Sequence, residues 1–130
     1  MAVPGAFFFP PVFSVNTEAS LCVQKSNGTL LNYIDKPDSF ADTSSTALLA
    51  ASTLRFASIT GNNTHTPAAI RAMKLVHKSI DSHGWLRGTV NPLSFSSPSS
   101  PGQHSPEGQS FVLLLEAAAL AWRAPGSERR

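Results

Sequence analysis

Charge is scarce in this sequence. Only 14% of its 130 residues are Asp, Glu, Lys or Arg, well under the quarter usual for a soluble domain. With so little surface marked for water, the chain either buries an unusual share of itself or leaves apolar surface for something else to cover. The net charge is only +2, and the ten basic residues are scattered, the terminal Arg129-Arg130 being their one adjacent pair. That argues against nucleic acid, which calls for a clustered basic face. Cysteine is limited to Cys22, which excludes an intramolecular disulfide and a thiolate zinc site. No segment approaches the ~20 uninterrupted apolar residues of a membrane span; the run from Phe111 to Trp122 is strongly apolar but too short.

Other absences narrow the chemistry. His65, His77, His83 and His104 show no metal-ligand spacing and no acidic pair completes a site, so no metal is expected. There is no G-x-S-x-G elbow to activate Ser44 or Ser105. Neither a phosphate loop nor a dinucleotide fingerprint occurs, and no cofactor is implied. The opening MAVPGAFFFPPVFSV lacks a basic start and is interrupted by Pro4, Pro10 and Pro11, so it makes a poor signal peptide. Two Asn-x-Thr sequons, at Asn27 and Asn62, matter only in a secreted chain. The sequence does not choose between a secreted and a cytoplasmic location.

What is present is mostly helical. Residues 1–25 carry no clean period and read as irregular. Gly28 to Asp35 reads as a short extended piece, and Lys36-Pro37-Asp38-Ser39 as a turn. A first helix is expected over 43–59, with Asp42 as its N-cap and Gly61 as its stop. A second is expected over 66–82, with Thr66 as N-cap, Pro67 at the first position and Gly84 just past the end. Its apolar residues Ala69, Ile70, Met73, Val76 and Ile80 fall at three- and four-residue spacing, which gives it one wet face. Gly84 to Phe95 reads as an extended loop or minimal hairpin, and Ser94 to His104 as a Ser/Pro-rich loop. A third helix is expected over 106–123, capped by Ser105, with Pro106 at its first position and Glu107 at the positive end of its dipole.

The third helix is apolar nearly all round. A helix of that kind is buried on every side in a complete fold, and two other helices cannot bury it so. The chain is therefore expected to be part of a larger helical body. By itself it should leave an apolar strip exposed and tend to associate.

Two polar clusters sit at helix starts. Asp42, Thr43, Ser44 and Ser45 open the first helix; Ser105 and Glu107 open the third. Each is sound capping chemistry, and each equally suits a helix mouth facing a sugar. Gly108 costs roughly 1 kcal/mol relative to alanine in a helix. A glycine there implies that something approaches the backbone closely.

Three stretches together resemble one family: Asp38 to Ala50 with its D-T-S-S-T-A core, Asp81-Ser82-His83-Gly84-Trp85-Leu86 with Val90-Asn91-Pro92, and Ser105-Pro106-Glu107-Gly108-Gln109 running to Leu114. In order and spacing they are similar to the C-terminal portion of glycoside hydrolase family 105, the unsaturated rhamnogalacturonyl hydrolases, and of the related family 88. The resemblance covers about residues 26–124. It leaves out residues 1–25 and a tail at 125–130.

It implies an all-α fold, roughly the last third of an (α/α)6 barrel of six helical hairpins. The activity implied is removal of a 4,5-unsaturated uronic acid from pectin (rhamnogalacturonan) oligosaccharides by hydration of the double bond, with an aspartate as general acid and base. That aspartate lies in the N-terminal half of such enzymes. No position here matches its surroundings, so no catalytic residue is assigned and the isolated chain is expected to be inactive. The partner implied is the unsaturated oligosaccharide, with Asp42, Thr43, Ser44, Ser45, Ser105 and Glu107 as candidate contacts. Neither nucleic acid nor membrane is expected. The competing expectation is a non-catalytic helical remnant that serves as an interaction module.

Overall fold

The computed structural model describes residues 20–124. It is mostly helical, with three long helices and one small hairpin: α1 Thr43–Thr60, α2 Thr66–Lys78, β1 Val90–Asn91, β2 Ser94–Pro98 and α3 Pro106–Arg123. Most of the stretch expected to be irregular, residues 1–19, lies outside the described residues, as does the tail at 125–130. Within the remainder, residues 20–22 are helical. Gln24 is held firmly: its side-chain amide donates to Gly28 O at 2.9 Å and Ala68 O at 3.1 Å.

α1 begins and ends where its signals place it. The Asp42 carboxylate accepts the free N–H groups of Ser44 and Ser45, and Gly61 closes the far end in the left-handed conformation with its N–H on Ala57 O. Ala47, Ala50, Ala51, Leu54 and Ala57 are buried along it. Small side chains let neighbouring helices approach closely, and α1 packs against both α2 and α3. The shared core joins Ala47, Ala50, Ala51 and Leu54 to Ala69, Ala72, Met73 and Val76 of α2, Leu86, and Val112, Leu115, Ala118 and Ala119 of α3.

α2 departs from expectation at both ends. Thr66 is its first helical residue and His65 takes the cap position. The Thr66 hydroxyl instead donates backwards to Asn63 O at 2.9 Å. The helix stops at Lys78, four residues early. The reason is Asp81, whose carboxylate accepts the N–H groups of His83 (2.9 Å) and Trp85 (3.0 Å). The turn also diverts a helix donor: the Asp81 N–H goes forward to Trp85 O at 2.9 Å instead of back along α2. Gly84, at φ +87°, belongs to this turn and does not terminate α2.

The two-stranded antiparallel hairpin is irregular. Asn91 faces Ser94 and Val90 faces Pro98, with a bulge between. The stretch 94–98, expected as loop, is thus strand, though it remains largely exposed. Gly28 to Asp35 forms only one bridge, Leu31 with Ala41. The expected turn at 36–39 is present, with Ser39 N–H on Lys36 O at 3.0 Å. Gly28, at φ +97°, lies against α2, and a Cβ there would sit 2.5 Å from Arg71 O. Only glycine fits such an approach.

α3 is buried along one stripe, through Gly108, Val112, Leu115, Ala118 and Ala119. The opposite side is open: Leu113, Leu114 and Leu120 are 67%, 52% and 68% exposed. This is the apolar strip that the sequence leads one to expect.

Candidate functional site

The starts of α1 and α3 lie at the same end of the molecule, joined by the segment from Gly84 to Thr89. At α1, Thr43 N–H donates to Gly88 O (3.1 Å) and the Thr43 hydroxyl to Arg87 O (2.7 Å). At α3, the Gln109 side chain donates to Gly84 O (2.8 Å) and accepts from Leu86 N–H (3.2 Å). The two helices therefore run side by side in the same direction, while α2, reached through a short loop, runs back along the other side of α1.

At the first helix start the carboxylate is committed. One Asp42 oxygen accepts the Ser44 N–H at 2.9 Å and the Ser44 hydroxyl at 2.5 Å; the other accepts the Ser45 N–H at 3.1 Å. Asp42 is only 4% exposed, and its own N–H donates to Leu30 O. The Ser45 hydroxyl, half-buried, donates to Asp42 O at 3.3 Å. The Thr46 hydroxyl donates to Asp42 O and accepts the Leu30 N–H.

At the second, Ser105 Oγ accepts the Gly108 N–H at 3.0 Å and contacts Glu107 at 3.4 Å. Glu107 is exposed. So the structure brings the two clusters to one end but does not merge them. Among their two carboxyl groups, the Glu107 carboxyl faces solvent and the Asp42 carboxyl is buried.

The close approach implied by Gly108 is real, and the visitor is the chain's own Thr89. A Cβ on Gly108 would lie 2.9 Å from Thr89 Cγ2. Thr89 is 2% exposed and its hydroxyl shares a hydrogen bond with Ser99 at 3.0 Å.

Several residues at this end were not among the candidate contacts, although Asp81, Trp85 and Gln109 belong to the motif stretches. Arg87 reaches back to pair with Asp81 and donates from Nε at 2.6 Å. The Trp85 N–H, more than any other group, holds the Asp81 carboxyl below its ordinary value. Partial loss of solvent opposes this, and the His83 N–H and Arg87 reinforce it. The Trp85 and His104 rings stack with centroids 4.1 Å apart. Beside them lies a groove of about 380 Å³ lined by Leu86 to Thr89 on one side and Ser99 to Gln103 on the other. The Gln109 side chain could have been noticed, since it ends the S-P-E-G-Q motif. The Asp81–Arg87 pairing depends on a turn that only the fold reveals.

Among the described residues, no group of three or more His, Cys, Asp or Glu is placed to hold a metal ion. No described helix is long and apolar enough to cross a membrane.

No family model and no curated protein matches this sequence. Solved structures do. A protein from Salmonella enterica serovar Paratyphi A matches over 85% of this chain and 31% of its own, at 21% identity and a TM-score of 0.76. One from Klebsiella pneumoniae matches over 92% of this chain and 34% of its own, at 21% identity and a TM-score of 0.74. Both are described as possible members of the GH105 family, which is the family whose motifs this sequence resembles. The chain thus has the fold of a portion of these proteins, and it spans about a third of their length.

Proposed function

We propose that this chain is a section of an (α/α)6 barrel in a glycoside hydrolase of the family 105 kind, with α1 and α3 as neighbouring inner helices and α2 as an outer one. The observation that carries the reading is the joining of two polar helix starts at one end, through Gly84 to Thr89, within a fold shared with structures described as possible GH105 members. Inner helices of such a ring run parallel, and an outer helix returns the chain from one to the next. The substrate class is a pectin (rhamnogalacturonan) oligosaccharide ending in a 4,5-unsaturated uronic acid, and the reaction is hydration of that double bond.

On this reading Ser105 and Glu107 lie at the mouth of the cleft and can contact sugar hydroxyls. Asp42, Thr43 and Ser44 act one step back, shaping the rim by fixing the α1 start, with Ser45 at its edge. No residue of this chain is assigned as general acid, so the chain alone should not turn over substrate. The test is loss of the ultraviolet absorbance of the double bond, using unsaturated pectin disaccharides and the purified chain. No loss is expected. Turnover that disappears in Asp42→Asn would overturn this assignment and place the acid at Asp42.

A second reading has its own support. The Asp42 carboxylate is wholly engaged in capping, and the α1–α3 face is open and apolar. Both features suit a non-catalytic helical module that binds another polypeptide. An upstream reading frame encoding further helical hairpins would favour the enzyme.

A further inference from the structure

We infer that the groove between residues 86–89 and 99–103 is a subsite for a uronate carboxylate of an oligosaccharide, gripped by the outer edge of Arg87. The identity of the sugar rests on the pectin reading above; the contact is one which that reading does not assign. The groove, of about 380 Å³, falls in the size range of small-ligand sites. One of its walls is the segment that ties the starts of α1 and α3 together. Arg87 is the one charged residue in its lining, which contains neither Asp nor Glu.

Arg87 is oriented before any ligand arrives. Its Nε donates to Asp81 Oδ2 at 2.6 Å, and Nη2 pairs with the same oxygen. These bonds occupy one edge of the guanidinium and fix its plane. Nη1 lies toward the opposite wall, where it reaches Gln103 O only over a long 3.4 Å. The Asp81 carboxylate also accepts the N–H groups of His83 and Trp85, so backbone dipoles share in balancing its charge. The Arg87 side chain stays 40% exposed. A guanidinium offers its donors in a rigid fork that matches the two oxygens of a carboxylate.

Two neutral groups add to the donor set. Gln103 Oε1 accepts the Ser100 N–H at 2.9 Å, which leaves Nε2 as the donor end of that amide. Ser100 is itself exposed, whereas the Ser99 hydroxyl is committed to Val90 O at 3.0 Å. One cation and two neutral donors, with no acid among them, suit an anionic acceptor. A pectin oligosaccharide carries such acceptors along its length.

The experiment is a nitrogen-edited NMR titration of the full chain with a saturated galacturonate trimer, which has no double bond to hydrate. Its methyl ester, acetate and inorganic phosphate are titrated in parallel. The variants are Arg87→Gln, Ser100→Glu and Leu93→Glu. Ser100→Glu brings a repelling carboxylate to the groove from an exposed position, so it tests the site even if Arg87→Gln loosens the Asp81 turn. Leu93→Glu adds the same charge on the hairpin, outside the groove. The trimer should give saturable shifts at Gly88, Gly102 and Gln103, with a dissociation constant on the order of millimolar. Binding should weaken by about tenfold for the ester, for Arg87→Gln and for Ser100→Glu, because a charge-assisted contact is lost. It should be unchanged in Leu93→Glu. Acetate and phosphate should bind more weakly than the trimer. An ester, an acetate or a phosphate that binds as well as the trimer would overturn the proposal. So would shifts centred away from the groove, or a Ser100→Glu chain that binds like wild type. The hydrolase reading fails separately. If the chain, joined to a polypeptide supplying further helical hairpins, spares unsaturated pectin fragments yet still binds the trimer here, that reading falls and the subsite stands.

Discussion

The two faces of α3 make opposite statements about how the chain meets its surroundings. At its start, and along the stripe toward α1, the chain answers its own needs: Ser105 caps it, Gln109 ties it to Gly84 and Leu86, Thr89 fills the notch at Gly108, and Leu115 is fully buried. No buried side-chain nitrogen or oxygen among the described residues lacks a partner. On the far side, Leu113 and Leu120 stand mostly in water. The lesson is that polar satisfaction and apolar burial are separable. Hydrogen bonds at a helix start are made locally, by residues a few positions away or in one loop. Burial of a whole helix circumference needs several neighbouring helices, and the described residues supply two other long ones.

The largest effect expected is on the closed side. Leu115→Ala should cost about 2–5 kcal/mol in unfolding free energy, because it opens a cavity among α1, α2 and α3. Leu113→Ser, two residues earlier on the open side, should change stability by less than about 0.5 kcal/mol. Denaturant melts of the two variants check the contrast, and equal losses would break it.

Next comes Gly108→Ala. Alanine improves helix propensity by up to about 1 kcal/mol, but its Cβ meets Thr89 Cγ2, whose side chain is buried and cannot swing out freely. Overpacking should win, with a net loss of about 1–3 kcal/mol. The double variant with Thr89→Ser should recover much of it, since the methyl group responsible is then gone.

Asp42→Ala removes the α1 cap and should cost about 1–2 kcal/mol. A thermal melt that is unchanged would show that the Asp42 carboxylate is not held for structure, and would strengthen the case for a role toward ligand.

The smallest effect concerns pH. The folded Asp81 carboxyl titrates below its ordinary value of 3.8. The stabilisation from its ionised form is therefore fully present above that value and is lost as the pH falls through the lower folded value. Trp85 fluorescence should stay constant from pH 7 down to about pH 4 and change only below. In Asp81→Asn it should show no such step. A wild-type transition at higher pH, or one that persists in Asp81→Asn, would mean that a group other than Asp81 governs the loop.

How much was legible in the sequence follows from where each interaction closes. The bounds of α1 and α3 were readable to within a residue because Asp42, Gly61 and Ser105 act on backbone groups next to them. The end of α2 was not, because Asp81 withdraws the backbone into a turn that an apolar period continuing to Ile80 conceals. Gly108 announced a close contact without naming Thr89, which comes from a loop about twenty residues earlier. The candidate site was half legible in the same way. Both polar clusters were visible, but that Gly84 to Thr89 would bind them together was not, since those hydrogen bonds use main-chain atoms that any residue carries.

The order in which the chain can assemble follows from α1 lying between its neighbours. α1 and α2 are separated by only five residues, 61–65, so their pairing closes a short loop. α3 returns to α1 after a long excursion through the Asp81 turn and the hairpin, and its docking carries the larger entropy of loop closure. Contacts close in sequence form early when they are stable enough to persist. The α1–α2 pair should then be the nucleus and α3 the last helix to lock. Variants of Ala72 or Val76 should slow refolding, whereas variants of Leu115 or Val112 should mainly hasten unfolding, as stopped-flow kinetics would read directly.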